Sequence, residues 1–568
     1  MLRAFPDHVV RSCEALRGLW DFVTEDDRTD RRKLPADYNR RMLVPSAWET
    51  TPGLENYRGK AWYRTLVPGD ETHALRLVFG GVSHTANVFL DGQAIGTHYD
   101  AFTPFALLVT DATDQEHELV VEVDNAFGEH SALHIPNDYY TYGGITRAVE
   151  LQYVPQVYIE RVWATPARKR DRWDLELRIR LANWAEQPLS RRLAVMLEGD
   201  LLDLGEVEVD PGSLIEVAGK LSGLEVDAWS PENPALYALQ VLLLEGEEVV
   251  DDQIDRIGFR EFKTRGKKLL LNGEPVRLRG FNRHEDHPQF GCAIPTEAMV
   301  NDLQQMRDMG ANLVRTCHYP NDQRFLDLCD ETGMMVWEES HARNVPFEAP
   351  MFAEQIDTST REMIDWHHNH PSIVLWGCLN ECDSCSKDGR KHHERVIELI
   401  RELDPSRPVT FASNKGEDDI CLDLVDVVSW NRYDAWYSGG LAEVEPGLAG
   451  ALKWLHSDTS GAKGKPVILS EFGGGAIYGC RNPNRAKWTE EYQADVLDES
   501  LRVYLNHPQV SGAIIWQYCD VRVCTEVAMG RPRTMNNKGV VDEYRRPKLA
   551  YEVVKQRMHE AAENDRRP

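Results

Sequence analysis

The fold is indicated by an apolar run that ends in polar residues: Ile373-Val374-Leu375-Trp376-Gly377-Cys378-Leu379-Asn380-Glu381. Such a run is typical of a strand buried on both faces, as in a parallel sheet. A second run ends in the same way: Pro466-Val467-Ile468-Leu469-Ser470-Glu471-Phe472-Gly473. In a β/α barrel, the residue at the carboxyl end of a strand points into the active site. The two runs therefore predict a barrel that carries two carboxylates at one end.

Outward from these runs, the chain after about residue 260 alternates between strand-like and helical segments. Eight strand-like runs occupy 276–281, 312–316, 334–338, 373–378, 409–412, 425–430, 467–471 and 513–517. One intervening segment has apolar residues at helical spacing, and Pro405 follows its end. Gly333 stands where a helix C-cap is expected. We predict a TIM barrel over residues 260–568, with Glu381 after strand four and Glu471 after strand seven.

The preceding residues predict two β domains. Residues 1–155 contain many short strands with turn signals such as Asp91-Gly92 between them, which favours a jelly-roll sandwich. Residues 156–259 continue in this style, and Leu175, Leu177, Ile179 and Leu181 alternate with charged residues. At about a hundred residues, an immunoglobulin-like sandwich is the simplest prediction for this part.

Composition restricts the class of partner and the compartment. The 568 residues carry 64 basic and 92 acidic side chains, a net charge of -28, which disfavours nucleic acid and anionic membranes as partners. The N-terminus has no apolar signal region, and no apolar run is long enough for a membrane helix. Ten of the 11 cysteines follow residue 290, and no Asn-x-Ser/Thr acceptor occurs. We therefore expect reduced thiols and a cytoplasmic location.

Two carboxylates at one end of a barrel suit the hydrolysis of a glycosidic bond. One carboxyl group protonates the leaving oxygen, and the other stabilises the oxocarbenium-like centre. Their separation decides whether configuration is retained or inverted, and sequence does not give that separation. The reaction needs no metal or cofactor.

Four motifs make the chain resemble glycoside hydrolase family 2 over nearly its whole length. They are Gly280-Phe281-Asn282-Arg283-His284-Glu285-Asp286, Asn312-Leu313-Val314-Arg315-Thr316-Cys317-His318-Tyr319-Pro320, Asn380-Glu381 and Ser470-Glu471-Phe472-Gly473. The resemblance implies a jelly roll, an immunoglobulin-like domain and a catalytic barrel. It also implies a retaining mechanism with Glu471 as nucleophile and Glu381 as acid/base. Asn380 would bind the sugar 2-hydroxyl, and His318 would contact the substrate.

The segment Thr534-Met535-Asn536-Asn537-Lys538-Gly539 is similar to the Asn-x-Lys motif with which β-glucuronidases of this family bind the substrate carboxylate. By this resemblance Asn536 and Lys538 would hold a uronate. A single lysine in the pocket can outweigh the protein's net negative charge, because distant charges are screened beyond about 8 Å.

Further segments carry the same resemblance. In Asn431-Arg432-Tyr433-Asp434-Ala435-Trp436-Tyr437, Tyr433 would orient Glu471 and Tyr437 would line the carboxylate end. The family usually has Tyr and Gly where Asp434 and Ala435 stand. Asp138 would reach across from the jelly roll, and Trp516 would stack on the sugar or belong to the barrel core. An arginine near the carboxylate would be Arg531 or Arg533; the predicted site includes Arg533, although the loose alignment does not separate the two.

Two other signals are predicted to carry no chemistry. Cys382 and Cys385 lack a second ligand pair at zinc spacing. His367, His368 and His370 precede a buried strand and indicate a polar helix end in which one histidine has a structural role.

These features predict a retaining exo-glycosidase that removes terminal β-D-glucuronides. The alternatives are a β-galacturonidase or mixed β-uronidase, a β-galactosidase, and a catalytically inactive carbohydrate-binding protein. Segment 341–360 is the candidate for the loop that selects the aglycone, and a dimer or tetramer is expected.

Overall fold

A computed structural model describes residues 1–565, with residue 529 described by its backbone only. The last three residues of the predicted 260–568 domain lie outside this range. The chain forms a β-sandwich, a second and smaller β-sandwich, and a parallel barrel. The predicted fold class is therefore confirmed.

The first sandwich buries its core between two antiparallel sheets, of order β1-β12-β5-β9 and β3-β2-β4-β10-β7-β8. Alternate residues of each strand face this core, which includes Phe22, Tyr63 and Phe79. The strands are β1 (Ser12–Ala15), β2 (Gly18–Thr24), β3 (Arg40–Val44), β4 (Lys60–Pro68), β5 (Ala74–Phe79), β6 (Val82–Ser83), β7 (Thr85–Leu90), β8 (Gln93–Tyr99), β9 (Phe105–Val109), β10 (Glu116–Asp124), β11 (Gly144–Ile145) and β12 (Val149–Val154).

The second sandwich packs the sheet β13-β14-β17 against the sheet β16-β15-β18-β19. In β14 the apolar residues from Leu175 to Leu181 alternate inward as predicted. The strands are β13 (Val157–Lys169), β14 (Arg172–Asn183), β15 (Leu189–Leu197), β16 (Asp200–Val209), β17 (Leu214–Leu224), β18 (Tyr237–Glu245) and β19 (Glu248–Ile257).

A small sheet of β20 (Phe262–Arg265), β21 (Lys268–Leu271) and β22 (Glu274–Val276) leads into the barrel. Its Phe262 and Leu269 pack with Leu278, Leu313 and Trp337 in one apolar cluster. Because these barrel residues lie near the amino ends or middle of their strands, this sheet covers the barrel at that end. The opposite, carboxyl end remains available for a site.

The barrel has eight strand positions, and the fifth is interrupted at Phe411 into β27 and β28. The strands are β23 (Leu278–Asn282), β24 (Leu313–Thr316), β25 (Met335–Glu339), β26 (Ile373–Gly377), β27 (Val409–Thr410), β28 (Ala412–Ser413), β29 (Val428–Asn431), β30 (Val467–Phe472) and β31 (Gly512–Ile515). Each overlaps one of the eight predicted runs. A hairpin of β32 (Val521–Arg522) and β33 (Met535–Asn536) follows the last barrel strand.

Six of the seven connections between successive barrel strands contain an α-helix, and a seventh helix follows the last strand. The helices are α1 (Thr296–Asp308), α2 (Gln323–Thr332), α3 (Phe352–His367), α4 (Lys387–Leu403), α5 (Val444–Leu455), α6 (Glu490–Tyr504) and α7 (Ala550–Asp565). Between β28 and β29 the described chain has a 3-10 turn, Gly416–Asp418, and no α-helix. Gly333 caps α2 in the left-handed conformation, as predicted.

The first sandwich lies against the carboxyl end of the barrel. Tyr142 donates to Asp286 at 3.0 Å, and Arg147 pairs with Glu285 at 2.7 Å. Both acids belong to the segment after β23. The segments on both sides of β11 therefore reach the mouth of the barrel. Within residues 1–565, no helix combines the length and apolar character that crossing a membrane requires.

Candidate active site

A cavity of about 550 Å³ opens at the carboxyl ends of the barrel strands. It contains both glutamates together with aromatic, cationic and amide side chains. Its lining is Asp138, Arg343, Glu381, Asn414, Gly416, Trp430, Asn431, Arg432, Tyr433, Asp434, Tyr437, Ser438, Glu471, Trp516, Arg531 and Lys538.

The backbone delivers the two glutamates in different ways. Glu471 belongs to β30 itself, whereas Glu381 lies four residues beyond β26 on a tight turn. Leu379 and Glu381 both have left-handed φ angles, 46° and 52°, and the Glu381 amide donates to the Ala412 carbonyl at 2.9 Å. Gly473 follows β30, where a Cβ would lie 2.8 Å from the Trp516 carbonyl oxygen. A residue without a side chain is therefore required beside Glu471.

Glu471 is buried and receives two hydrogen bonds. Arg315 donates to its Oε1 at 2.9 Å, and the Tyr433 hydroxyl donates to its Oε2 at 2.8 Å. Burial raises the pKa of Glu471 to about 7, and the nearby Glu381 carboxylate contributes to the rise, while Arg315 and Tyr433 oppose it. The arrangement orients a carboxylate whose charge has little contact with water.

Glu381 is more open than Glu471 and has weaker donors. The Asn431 amide donates to its Oε1 at 2.9 Å, and Arg343 lies 3.4 Å from its Oε2. Lys415 donates to the Glu381 backbone carbonyl at 2.9 Å and so fixes the turn rather than the carboxyl group. The side chain thus lies at the cavity wall with one short and one long contact to its two oxygens.

A fully buried arginine, Arg315 of β24, joins the site residues together. It forms an ion pair with Glu339 at 2.8 Å and also donates to Asn282 and Asn380 at 2.9 and 2.7 Å. Burial raises the pKa of Glu339 to about 7, against the lowering effect of Arg315. Arg315 belongs to one of the family motifs, but no role was predicted for Arg315 or Glu339. A charged side chain within an apolar strand was the feature of the sequence that could have indicated a role for Arg315.

Asn380 and His318 lie on this network. Asn380 accepts from Arg315, and its buried amide nitrogen has no hydrogen-bond partner within residues 1–565. This leaves a donor available to a substrate hydroxyl. The His318 Nδ1 lies 2.9 Å from Glu339, and burial lowers the pKa of His318 well below its ordinary value. Its ring stacks on Trp516 at 5.2 Å, so Trp516 both packs in the barrel and lines the cavity.

The other end of the cavity contains two cations. Lys538 is 2% exposed, and its ammonium donates to the Tyr437 hydroxyl at 2.9 Å. Arg531 pairs with Asp138 of the first sandwich, which also accepts from the Asn536 amide at 3.0 Å. Asn536 is fully buried, so here it positions Asp138 rather than facing the open cavity.

Of the two candidate arginines, Arg531 faces the cavity and Arg533 does not. Arg533 has a left-handed φ of 63° and pairs with Glu543, outside the cavity lining. The prediction that included Arg533 is therefore replaced by Arg531, because Asp138 draws the Arg531 guanidinium to the cavity wall.

Asp434 and Ala435, in the segment after β29, stand where the family usually has Tyr and Gly. Asp434 accepts from Arg432 at 2.9 and 3.1 Å and from the Tyr504 hydroxyl at 3.2 Å. It lines the cavity, and the Arg432 guanidinium balances its negative charge. Ala435 has a φ of 65°, a left-handed conformation that favours glycine.

The cysteines and the three histidines that were predicted to carry no chemistry lie in different surroundings. All eleven cysteines are free thiols, with Cys382 buried and Cys385 exposed. The three histidines before β26 are all buried: His367 contacts Glu338 at 3.0 Å, His368 contacts Thr165, and His370 contacts Asp330. The predicted helix end is confirmed, because α3 ends at His367, and all three histidines contact neighbouring elements.

Comparison with known families gives three matches. Residues 262–562 match "Glycosyl hydrolases family 2, TIM barrel domain", 157–260 match "Glycosyl hydrolases family 2", and 54–163 match "Glycosyl hydrolase 2 galactose-binding domain-like". The chain belongs to glycosyl hydrolases family 2. It is thus a glycoside hydrolase, and the site described above lies in its catalytic barrel.

Individual relatives cover the chain almost completely. It is 27% identical to a β-glucuronidase of Streptococcus agalactiae over 96% of each chain. The solved structure of a family 2 β-galacturonidase from Eisenbergiella tayi bound to galacturonate shares 43% identity and a TM-score of 0.93, covering 99% of both chains. A Ruminococcus gnavus β-glucuronidase in complex with D-glucuronic acid shares 26% identity and a TM-score of 0.85, over 98% of this chain and 99% of that one.

Proposed function

We propose that this enzyme is a retaining exo-β-uronidase that removes a terminal β-D-galacturonide, with β-D-glucuronide as the second substrate. Its catalytic pair would be Glu471 and Glu381. The sequence alone placed glucuronide first, and the likeness to the Eisenbergiella tayi β-galacturonidase moves galacturonide ahead.

The observation that carries the proposal is Lys538 at the end of the catalytic cavity. Burial lowers the pKa of its ammonium, and Arg531 lowers it further. Within residues 1–565 its hydrogen bond goes to the Tyr437 hydroxyl, and no carboxylate forms an ion pair with it. A buried cation without a counter-ion is costly unless a ligand supplies one. The C6 carboxylate of a uronide supplies that charge, whereas the hydroxymethyl group of a galactoside does not.

The first chemical step follows from the donors around each glutamate. The Glu471 carboxylate attacks the anomeric carbon while the Glu381 carboxyl group gives its proton to the glycosidic oxygen, so the alcohol leaves and a glycosyl ester forms. In the second step Glu381 takes a proton from water, which attacks the same carbon and releases Glu471. Two substitutions at one carbon retain its configuration.

The protonation state needed for this sequence is supported by the contacts. A carboxylate acts as a nucleophile in its charged form, which hydrogen-bond donors and nearby cations favour. Arg315 and Tyr433 donate to Glu471, so both contacts favour the negative charge of the proposed nucleophile. Asn380, with its free amide donor, would bind the sugar 2-hydroxyl.

The test is a comparison of kcat/KM on the nitrophenyl β-D-galacturonide, glucuronide and galactoside. We expect the two uronides to exceed the galactoside by at least about 100-fold, the worth of a desolvated charge-assisted contact. Galacturonide should be the faster uronide. A faster glucuronide would reverse the order of the two sugars, and a faster galactoside would refute the uronidase assignment.

The matched variant is Lys538→Ala. It should lower kcat/KM on both uronides by about 100-fold and leave the galactoside rate within about threefold, because only the uronides have the carboxylate. Lys463→Ala, at an exposed ion pair with Asp458, is the control and should change none of the rates. Equal losses on all three substrates would show that Lys538 has a structural role only.

A further inference from the structure

A second cluster of reactive side chains lies between the first sandwich and the barrel. Asp100 follows β8, His134 lies in the segment before β11, and His341 is the second residue after β25. All three are at most 1% exposed. They belong to two domains, and no step of the proposed hydrolysis uses them.

Their ligand atoms surround one point. Oδ1 of Asp100 lies 3.4 Å from His341 Nδ1 and 3.7 Å from His134 Nε2, and the three atoms lie within 4.8 Å of one another. Tetrahedral zinc with bonds of about 2.05 Å would place neighbouring ligand atoms about 3.4 Å apart. A direct charge-assisted hydrogen bond would instead be about 2.7–2.9 Å long. The spacing suits a shared ion better than a direct ion pair.

The Nδ1 atom of His341 also favours a bound ion. Its Nδ1 is buried and has no hydrogen-bond partner within residues 1–565. The Asp100 carboxylate at 3.4 Å offsets only part of the lost hydration of this nitrogen, because the two atoms do not have hydrogen-bond geometry. A metal ion bound to Nδ1 would remove that cost.

The other atoms of all three side chains are already held, as the outer contacts of metal ligands usually are. His341 Nε2 lies 3.2 Å from the Tyr139 hydroxyl, and His134 Nδ1 lies 2.9 Å from the Tyr99 hydroxyl. The Ser359 hydroxyl donates to Oδ2 of Asp100 at 2.6 Å. Two ligand atoms accept long backbone hydrogen bonds: His134 Nε2 from the Ala101 amide at 3.3 Å, and Oδ1 of Asp100 from the Phe102 amide at 3.2 Å. A bound ion would replace the first bond, whereas the second lone pair of the Asp100 oxygen remains available.

We propose that Asp100, His134 and His341 bind a structural Zn²⁺ ion that fastens the first sandwich to the barrel. Two imidazoles and one carboxylate are ligands that zinc accepts, and a water molecule would complete the tetrahedral set. The ion would fix the segment after β25, where Arg343 contacts both Asn137 of the sandwich and Glu381. It would act on the interface and take no part in the chemistry of the glutamates.

The experiment measures zinc content and thermal unfolding on the full-length enzyme. After incubation with ZnCl₂ and dialysis, we expect about one zinc per chain by elemental analysis. Removal of zinc by dipicolinate should lower Tm by roughly 3 °C or more, and added ZnCl₂ should restore it. This comparison uses the unaltered chain and does not depend on a variant folding.

Three variants locate the ion. Asp100→Asn and His341→Ala should lose the zinc and the Tm response, whereas His130→Ala, an exposed histidine of the same segment as His134, should keep both. Equal zinc in all four proteins would mean surface binding only and would overturn the proposal. Less than about 0.1 zinc per chain with no Tm response would also overturn it, leaving Asp100 and His341 as a direct ion pair.

Discussion

The two ends of the catalytic cavity are built differently. At the glutamate end, Glu471 and Arg315 come from barrel strands and are fixed by short hydrogen bonds to further strand residues. At the cation end, Lys538, Arg531 and Tyr437 come from segments beyond the strands, and Asp138 comes from another domain. The comparison suggests that the barrel strands position the nucleophile and its donor. The connecting segments would then determine which sugar binds, as in other barrels.

The largest expected effect is at the glutamate end. Glu471→Gln keeps the shape of the side chain and removes the nucleophilic charge, so kcat should fall by about 10⁴-fold or more on every substrate. Stopped assays on all three nitrophenyl glycosides would measure it. Unchanged KM and Tm serve as controls, and activity within tenfold of the original enzyme would exclude Glu471 as nucleophile.

At the cation end, Arg531→Ala should lower kcat/KM on uronides by about 10- to 100-fold. It removes one cation and also leaves the Asp138 carboxylate unpaired beside the incoming uronate. Arg533→Ala is the matched control and should have less than a threefold effect, since Arg533 pairs with Glu543. The reverse result would restore the original prediction of Arg533.

Tyr433 joins the two ends, because its hydroxyl donates to Glu471 while its ring lies 5.6 Å from the Lys538 ammonium. Its hydrogen bond lowers the pKa of Glu471, which burial raises to about 7. Tyr433→Phe should therefore raise the pKa of Glu471, and the acid limb of kcat/KM should move to higher pH by about half a unit to one unit.

The shift of the acid limb distinguishes an effect of Tyr433 on the pKa of Glu471 from an effect on the shape of the cavity. A loss of rate of about 10-fold without movement of the limb would mean that Tyr433 only shapes the cavity. Tyr437→Phe is the comparison, since its hydroxyl contacts Lys538 instead of Glu471 and should leave the limb in place.

The smallest effect is expected at Ala435, whose left-handed φ of 65° costs about 1 kcal/mol relative to glycine. Ala435→Gly should raise the free energy of unfolding by about 0.5 kcal/mol, because the greater freedom of glycine in the unfolded chain offsets part of the gain. Chemical denaturation would measure it. A destabilised variant would show that the Ala435 methyl group packs favourably enough to outweigh the strain.

Much of the fold was predictable, because the eight apolar runs and the alternation in β14 are local patterns. The connection after β28 was not, since a TIM barrel pattern suggests an α-helix where the chain forms only the 3-10 turn Gly416–Asp418. Among the predicted site residues, Tyr433 and Lys538 line the cavity beside the glutamates. The sequence left the choice between Arg531 and Arg533 open, because it depends on Asp138, which lies almost four hundred positions away.

By itself the sequence determined the domain classes, the strand order and the positions of Glu381 and Glu471 at strand ends, because apolar periodicity and the direction of a strand are properties of neighbouring residues. Only the tertiary structure decided which groups share a hydrogen bond or a charge: Arg315 with Glu471, Arg531 with Asp138, and Lys538 with Tyr437. The physical reason is that pKa values, counter-ions and cavities depend on atoms a few ångströms apart in space, whatever their separation along the chain.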